Sequence, residues 1–350
     1  MEIEKELYDI SWQVDEPTYR ADPALSYSTL ARYEREGFNK LDKLFEHIST
    51  PSLTHGSIVD SIITGGLDEF NDRFVVLDVT LTDGGKDVVN MLLNAHLPYA
   101  CFEDIPESVV SGAAKEAGFW KADKWDKVRY REVLKTGNIA EYYNASLDSD
   151  KTIISVKEYQ DALACVKALR ESKATAHYFA DNDPLSPIRR YYQLKFKAKF
   201  GEVSYRCMAD LVCVNYEKKV IYPIDLKTSS HAEWDFEQSF LQWKYIIQSM
   251  LYWRIIRANL DKDPYFKDFT LENYRFIVVN KFTLTPLVWE FPMTKESGTL
   301  VDNEGNEYRD PFVIGKELKS YLDFKPAVPN GIEKDGINTI RCLRKKETNV

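Results

Sequence analysis

The most constraining feature of this 350-residue sequence is a pair of apolar runs joined by a short polar segment in its second half. Such a pair predicts a β-hairpin. Because side chains alternate along a strand, Asp225 and Lys227 share one face of this hairpin. A turn centred on 216–217 would place Asp210 opposite Pro223, one diagonal step from Asp225. We therefore expect two carboxylates and an ammonium on one sheet face, and a one-residue slip in register would separate them.

The composition limits what kind of protein this is. With 44% hydrophobic and 29% charged residues, the chain can bury a sizeable core and remain soluble. The formal net charge of −9 argues against a general nucleic-acid coat protein, but a nuclease needs only a local basic surface. No apolar run reaches membrane-spanning length, and the N-terminal residues lack a signal-peptide pattern. Five scattered cysteines predict a reduced, intracellular protein, so we expect a cytoplasmic location.

The order of the elements favours one α/β domain over 1–350, with a helical insertion at 80–150. Residues 1–25 are expected to form an irregular arm, and Ser28 is the expected N-cap of the helix that follows. Gly65 and Gly66 are expected to stop an early helix. The remaining helices are predicted at 40–47, 55–63, 156–178, 234–258 and 311–322. The strands are predicted at 74–77, 191–200, 203–214, 220–227, 274–280 and 285–291.

The charged groups of the hairpin suit phosphodiester hydrolysis, which needs an activated water and stabilisation of the charge that develops on the phosphate. Mg²⁺ or Mn²⁺ prefers hard oxygen ligands and lowers the pKa of bound water. Asp210 and Asp225 could supply carboxylates, and the Leu226 carbonyl could supply a neutral oxygen. Lys227 could hold the water or balance transition-state charge. The alternative is an exposed Asp–Lys pair of little energetic value.

A polar stripe follows on the aromatic helix at 234–258. Lys244, Gln248 and Tyr252 are spaced four residues apart and so share one face. Trp243 and Trp253 are expected to pack on the sheet. For Gln248 and Tyr252 two interpretations stay open, namely a direction toward the metal centre or simple packing.

Together these segments resemble the PD-(D/E)XK nuclease superfamily, and most of all its exodeoxyribonuclease VIII-like and RecB-type branch from bacteria and phages. The segments that carry the resemblance are 205–210, 224–228 and 245–252, with a weaker match at 26–30. The resemblance implies a restriction-endonuclease-like core, that is, a central mixed β-sheet flanked by helices. It also implies DNA hydrolysis that depends on a divalent metal. In it Asp210 and Asp225 bind the metal, Lys227 is catalytic, and Gln248 and Tyr252 form the branch's Gln-x-x-x-Tyr element.

The sequence departs from the branch at two positions. Asp60 stands where the branch places a metal-binding His after Gly-x-x-x, and a carboxylate can serve as the same hard ligand. Asp60 as a ligand, Asp60 as a solvated helix residue, and His55 as the ligand all stay open. Ala209 stands where the superfamily pattern has Pro, a position that contributes backbone shape. An iron–sulfur cluster would need several cysteines near the end of the chain, and only Cys342 is there, so we expect no cluster. The sequence contains no phosphate-binding loop, so we expect no ATPase domain in it.

The leading hypothesis is a metal-dependent exonuclease that degrades duplex DNA from an end. The resemblance implies phage-type recombination or repair beside a single-strand annealing protein, in the bacterial host cytoplasm if the protein is phage-encoded. An endonuclease on the same fold, a catalytically idle DNA-binding module, and a metabolic or virion protein are the alternatives, and a homo-oligomer stays open. Two basic groups could contact DNA or form ordinary solvated faces. These are Arg189, Arg190, Lys195, Lys197 and Lys199, and Arg341, Arg344, Lys345 and Lys346.

Overall fold

The structure is a computed structural model, and the ranges it describes are 3–37, 41, 44–45, 50–78, 81–95, 98–147, 151–229, 231–293, 300–302 and 305–324. Most of the helix predicted at 40–47 lies outside these ranges. The basic group at 341–346 and Cys342 also lie outside them. Every structural statement below concerns the described ranges.

The helices and strands alternate along the chain. The helices are α1 (Glu16–Ala21), α2 (Tyr27–Glu36), α3 (Pro51–Arg73), α4 (Asp83–Asn94), α5 (Glu107–Glu116), α6 (Arg129–Leu134), α7 (Ile139–Leu147), α8 (Val156–Glu171), α9 (Phe236–Gln242), α10 (Tyr245–Leu260) and α11 (Pro311–Phe324). The strands are β1 (Phe74–Leu77), β2 (Thr152–Ser155), β3 (Ile188–Phe200), β4 (Val203–Asn215), β5 (Val220–Ser229), β6 (Thr270–Leu271), β7 (Tyr274–Asn280), β8 (Leu287–Phe291), β9 (Leu300–Val301) and β10 (Glu307–Tyr308).

The central sheet is mixed and has the strand order β3-β4-β5-β7-β8, with β6 pairing along β5. The β3–β4, β4–β5 and β7–β8 pairs are antiparallel, whereas β5 and β7 run parallel. A parallel pair requires a crossover, and the α9–α10 segment provides it. The predicted class, a mixed α/β fold with a central mixed sheet flanked by helices, is confirmed at that level.

The two faces of the sheet are covered by different helices. One face packs against α10, α2 and α11 and contributes Val212 and Val278 to the larger apolar cluster. We call this the α10 face. The other packs against α3 and α8 and contributes Cys213 and Ile277 to a second cluster; we call it the α3 face. Strand β5 is therefore covered on both sides.

A buried carboxylate joins two loops at the end of the sheet where β5 finishes. Glu233 is 0% exposed. It accepts bonds from the backbone N–H groups of Asn280 and Thr285, at 3.1 and 2.9 Å. The hydroxyls of Thr283 and Thr285 donate to its second oxygen at 2.5 and 3.3 Å. These donors satisfy the carboxylate and fix the turn between β7 and β8.

The segment between β1 and β2 has an apolar cluster of its own. Helices α4 to α7 and the 3-10 helix Phe102–Asp104 bury Val88, Leu92, Phe102, Val110 and Tyr143 against one another. Strands β1 and β2 pair in parallel as a separate two-stranded sheet. Helices lie where the sequence predicts the insertion at 80–150, and the division of the chain into domains stays a prediction. Strand β2 was not predicted. Within the described ranges, no helix combines the length and apolar character that crossing a membrane requires.

The N-terminal predictions need correction. The expected irregular arm contains a 3-10 helix at Leu7–Ile10 and the helix α1. Asp15 caps α1 by accepting a bond from Thr18 N at 2.8 Å, and Pro17 lies in its first turn, where a missing N–H costs little. Ser26, and not Ser28, is the N-cap of α2. Gly66 has φ 69° and breaks α3, which then continues to Arg73, so the expected stop is a kink.

Later elements are also divided differently from the prediction. Helix α8 ends at Glu171, and a separate 3-10 helix spans Ala176–Tyr178. The single helix expected at 234–258 is broken at Lys244, whose left-handed backbone (φ 59°) separates α9 from α10. Strand β8 begins at Leu287 instead of residue 285, because Thr285 bonds to the Glu233 carboxylate.

Gly315 offers a test of how tightly α11 packs on the sheet. A Cβ atom at this position would lie within 2.6 Å of Cε1 of Tyr205 and closer still to its hydroxyl. Tyr205 is 1% exposed and packs against Phe312, so its ring has little room to move. We expect Gly315→Ala to lower the free energy of unfolding by about 1–3 kcal/mol, measured by urea denaturation.

The matched control is Gly112→Ala in α5, where no atom lies within 4 Å of the new Cβ. This change should leave stability unchanged or raise it by about 0.5–1 kcal/mol, because alanine favours helices. Equal effects of the two substitutions would contradict the close packing of α11.

Candidate active site

The hairpin forms, with a register shifted by two residues from the predicted one. Val212 pairs with Pro223, and the regular ladder between β4 and β5 ends at the pair of Leu211 and Ile224. The next step along the same register would set Asp210 opposite Asp225. A shift of two residues keeps every side chain on its face. The predicted meeting of the charged groups therefore survives an error in the predicted turn.

The regular alternation of side chains between the two faces of the sheet is interrupted in β3 and β4 at the level of Asp210, and this interruption is called the reset below. Tyr191 and Leu194 of β3 both belong to the cluster on the α10 face, although residues three apart in a regular strand point to opposite faces. Ala209 and Val212 of β4 show the same reset. Gln193, between the two β3 residues, has a left-handed backbone with φ 52°. Both strands are therefore distorted at one level, and the pairing register is the same on either side of it.

Asp210 bonds to the neighbouring strand through its side chain. The backbone N–H of Leu226 donates to Oδ2 of Asp210 at 2.9 Å. This bond lies beyond the last regular β4–β5 pair, at the point where the two strands separate. The carboxylate thus substitutes for a backbone acceptor and lies directly beside the segment that carries Asp225 and Lys227.

Asp225 is the most buried of the charged groups, with 1% of its surface exposed. Its Oδ2 lies 2.5 Å from Nζ of Lys227, and its Oδ1 accepts a hydrogen bond from Nε2 of Gln248. On the α10 face, Oδ1 therefore has a hydrogen-bond partner, whereas Oδ2 has only the ion pair with Lys227. This arrangement differs from the exposed Asp–Lys pair that was the alternative interpretation, since the pair is held inside the fold.

Lys227 lies beside an aromatic ring and keeps its ammonium charged because of the neighbouring Asp225 carboxylate. Nζ lies 4.6 Å from the ring centroid of Tyr245. Burial alone would lower the pKa of Lys227, but the carboxylate of Asp225 raises it and the net direction is upward. The side chain is therefore a cation at neutral pH. It can donate hydrogen bonds or balance negative charge, but it does not serve as a base.

Asp60 reaches the same region from helix α3. Nε2 of Gln193 donates to both of its carboxylate oxygens, at 2.8 and 3.0 Å, and Thr64 donates at 3.4 Å. Burial raises the pKa of Asp60 to about 6 against the opposing effect of Arg73. The proximity of Asp60 and Asp210 is reflected in the pKa of Asp210, which Asp60 helps to raise. Asp60 is thus a half-buried carboxylate held by hydrogen bonds, and not a fully solvated helix residue.

The environment of Asp210 disfavours its negative charge. Burial raises its pKa well above the usual value, and the negative charges of Asp225 and Asp60 raise it further. Lys227 and the bond from Leu226 N–H oppose these effects without cancelling them. Asp210 is influenced by two other carboxylates and by one ammonium, so the site has excess negative charge that a cation would offset.

The aspartates of the described ranges are not already arranged around one point as metal ligands would be. Across the described ranges, no three His, Cys, Asp or Glu side chains are gathered as a ready-made metal site. Gln193 engages Asp60, and Lys227 and Gln248 engage Asp225. The donor set itself is made of hard carboxylate oxygens, which fit Mg²⁺ or Mn²⁺ and not a soft metal.

Of the three residues predicted to share one stripe, Gln248 and Tyr252 lie on helix α10, whereas Lys244 lies just before it. Gln248 is buried against Asp225, and Tyr252 is buried four residues further along. Oε1 of Gln248 and the hydroxyl of Tyr274 are buried without a hydrogen-bond partner, and both lie on the α10 face. Lys244 precedes the helix, and its Nζ lies 5.0 Å from the ring centroid of Tyr308. It does not join Gln248 and Tyr252 on the predicted stripe.

His55 is directed elsewhere. Its Nε2 lies 3.7 Å from Sγ of Cys165, and burial together with Lys281 lowers its pKa. The acidic groups that act on it are Asp161 and Glu158, not the three aspartates. Of the two upstream candidates, the structure brings Asp60 to the site.

The basic residues of β3 are largely engaged in local contacts. Arg189 donates to backbone carbonyls of its own turn, and Arg190 donates to the carbonyl of His177. Lys197 pairs with Asp22 at 2.6 Å. Lys199 is exposed, and Lys195 is half-buried two residues beyond Gln193.

Gln193 is a site residue that the sequence did not reveal. A glutamine between two aromatic residues and a leucine gives no sign of a left-handed backbone, which is ordinarily associated with Gly or Asn. The special position of Gln193 can be recognised only from the structure, which shows the interrupted alternation in β3 and β4.

Comparisons with known proteins give a limited result. No family model matches the chain, and no curated protein matches it. Among solved structures, a crystal structure from Eubacterium rectale described as a "Putative exonuclease" is similar, with a TM-score of 0.41 and 15% sequence identity. The similarity covers 81% of this chain and 79% of that chain. At this level it identifies neither a family nor an activity for this chain.

Because the negative charges of the site repel one another, we expect the site to lower the free energy of unfolding of the protein. We expect Asp210→Asn to raise the free energy of unfolding by about 0.5–2 kcal/mol at pH 7 in the presence of a chelator. The amide oxygen can still accept the bond from Leu226, while repulsion from Asp225 and Asp60 disappears. The pKa of Asp210 is raised on folding. Falling pH should therefore stabilise the unaltered protein relative to the variant, and the difference should shrink.

The measurement is urea denaturation of both proteins at several pH values. Asp268→Asn is the control, since Asp268 is exposed on the surface and its neutralisation should change stability little. A variant at Asp210 that is less stable than the unaltered protein at pH 7 would contradict the electrostatic interpretation.

Proposed function

We propose that the protein is a divalent-metal-dependent deoxyribonuclease that hydrolyses phosphodiester bonds of DNA as an exonuclease, starting from an end. The observation that carries this proposal is the convergence of Asp210, Asp225 and Lys227 with Asp60 in one partly buried, negatively charged site. Strands β4 and β5 form a hairpin, whereas helix α3, which supplies Asp60, is distant from them in sequence. The hairpin explains why Asp210 and Asp225 are neighbours, but it does not require a carboxylate from α3 to join them. Perturbed ionisable groups gathered in this way are typical of functional sites.

The carboxylates would hold the metal. Asp210 and Asp225 are the central ligands of the proposal, with the Leu226 carbonyl as a neutral oxygen and Asp60 contributing from α3. When bound, Mg²⁺ or Mn²⁺ polarises the phosphate and acidifies a bound water. The excess of carboxylate charge over ammonium charge supports a divalent cation, since the chain itself supplies no equal positive charge at the site.

The remaining residues act around that centre. Lys227 is a permanent cation 2.5 Å from Asp225, so it can orient a water or balance the charge that develops on the phosphate. Gln248 fixes one oxygen of Asp225 through its amide, which holds the carboxylate in one orientation. Tyr252 shares the helix face and closes the α10 side of the site to solvent. Each of these roles is a proposal for this chain.

The test of catalysis is a change at Lys227 that retains its positive charge. Lys227→Arg keeps a cation beside Asp225, so the fold should survive, but the guanidinium cannot reproduce the compact ammonium. We expect cleavage of end-labelled linear duplex DNA with Mg²⁺ or Mn²⁺ to fall at least about 100-fold.

Lys227→Ala should lose cleavage as well, and it should also lower stability, because Asp225 then keeps a buried charge without its partner. Lys115→Ala removes the lysine of an exposed ion pair with Asp123 and serves as the matched control, with unchanged cleavage expected. Full cleavage by a folded Lys227→Arg protein would refute the catalytic assignment. Circular dichroism and urea denaturation report whether each variant is folded.

The choice between exonuclease and endonuclease rests on the substrate. We expect the protein to degrade linear duplex DNA and to leave covalently closed circular duplex DNA intact, because an exonuclease needs an end. Gel electrophoresis of both substrates in one reaction measures this directly. Nicking or cutting of the circle would replace the exonuclease proposal with an endonuclease on the same site. Loss of neither substrate would favour a catalytically idle module.

A further inference from the structure

Gln193 has a backbone conformation that its surroundings in the sheet do not require. Five described residues other than glycine have positive φ, and Gln193 (φ 52°) is the one that lies within a strand. The others lie between elements, as Lys219 does in the turn from β4 to β5. A left-handed backbone is disfavoured for a residue with a Cβ atom. Glycine would adopt it freely, so stability of the backbone does not account for glutamine at this position.

The side chain of Gln193 has one role in the structure. Its amide nitrogen donates to both oxygens of the Asp60 carboxylate, at 2.8 and 3.0 Å. The left-handed residue also marks the level at which β3 and β4 reset their alternation, beside Asp210. The same local distortion therefore aims an amide at Asp60 and sets Asp210 against β5.

We propose that Gln193 is a positioning residue that orients the Asp60 carboxylate for a divalent cation held with Asp210 and Asp225. The proposal rests on the proposed function, which supplies the metal. Hydrogen-bond donors behind a metal-binding group fix its orientation, and their loss typically weakens metal binding by about 10- to 100-fold. Each carboxylate oxygen has two lone pairs, so Asp60 can accept from the amide and still offer an oxygen to a cation.

A purely structural role makes a different prediction. If Gln193 merely satisfies a half-buried carboxylate, its loss would alter stability, and any effect on metal binding would not depend on Asp60. If Gln193 acts through Asp60, its effect on metal binding should vanish once Asp60 can no longer bind the metal. A double-mutant cycle separates the two roles, since coupled residues show non-additive effects.

The experiment is calorimetric titration of the full chain with Mn²⁺. Gln193→Gly keeps the left-handed backbone and removes the amide. We expect it to raise the Kd for Mn²⁺ about tenfold or more. Asp60→Asn should also raise the Kd, and adding Gln193→Gly to Asp60→Asn should produce no further change. An unchanged or lower Kd for Gln193→Gly, or an equal effect in both backgrounds, overturns the proposal.

Two controls complete the design. Lys219→Gly relieves a backbone with the same φ of 52° at an exposed turn, and it should leave the Kd for Mn²⁺ unchanged. If Gln193→Gly does not fold, Gln193→Asn replaces it, because Asn tolerates the left-handed backbone and its shorter amide does not reach Asp60. The same tenfold loss is expected, and its absence overturns the proposal.

Failure of this inference can be told apart from failure of the proposed function. If the unaltered protein binds Mn²⁺ and cleaves DNA while Gln193→Gly binds Mn²⁺ equally well, the positioning role alone is wrong. If the unaltered protein binds no Mn²⁺ and leaves DNA intact, the proposed function fails and the positioning role fails with it.

Discussion

The central constraint of this fold is that strand β5 carries an ion pair while apolar clusters cover both of its faces. Asp225 and Lys227 cannot reach bulk water freely, so their partners must come from the protein. The pair satisfies itself in part, and α10 supplies the amide of Gln248 and the ring of Tyr245. The packing of α10 on β5 therefore has to provide for these two charges as well as for the apolar cluster.

Glu233, which is buried, and Asp210, which is half-buried, are surrounded in opposite ways. Glu233 is surrounded by four neutral hydrogen-bond donors and needs no counter-charge, so its role in joining two loops is complete in the structure. Asp210 has one backbone donor and faces two other carboxylates. Folding alone gains nothing from that crowding. The contrast distinguishes a structural carboxylate from one whose arrangement suits a ligand, as the stability cost of functional sites leads one to expect.

The sequence predicted the site's centre because the alternation of a strand tolerates an error of two residues. Asp210, Asp225 and Lys227 were placed on one face from spacing alone, with the turn misplaced. Asp60 came from the resemblance and not from spacing, since its helix is 150 residues away from Asp210 in sequence. Gln193 could not be predicted, because a left-handed residue inside a strand leaves no local pattern. Lys244 was misassigned for the same reason, since its left-handed backbone ends the helical spacing that the prediction assumed.

The helical segment begins after strand β1 and ends before strand β2. Because these two strands pair with each other, the two ends of the segment lie side by side. That segment has its own apolar cluster, while β3, β4 and β5 contribute to the other two clusters. In evolutionary terms, residues between 77 and 152 form a region where the chain can lengthen, shorten or be exchanged while β3, β4 and β5 keep their register. Change in that region can therefore leave Asp210, Asp225 and Lys227 in place.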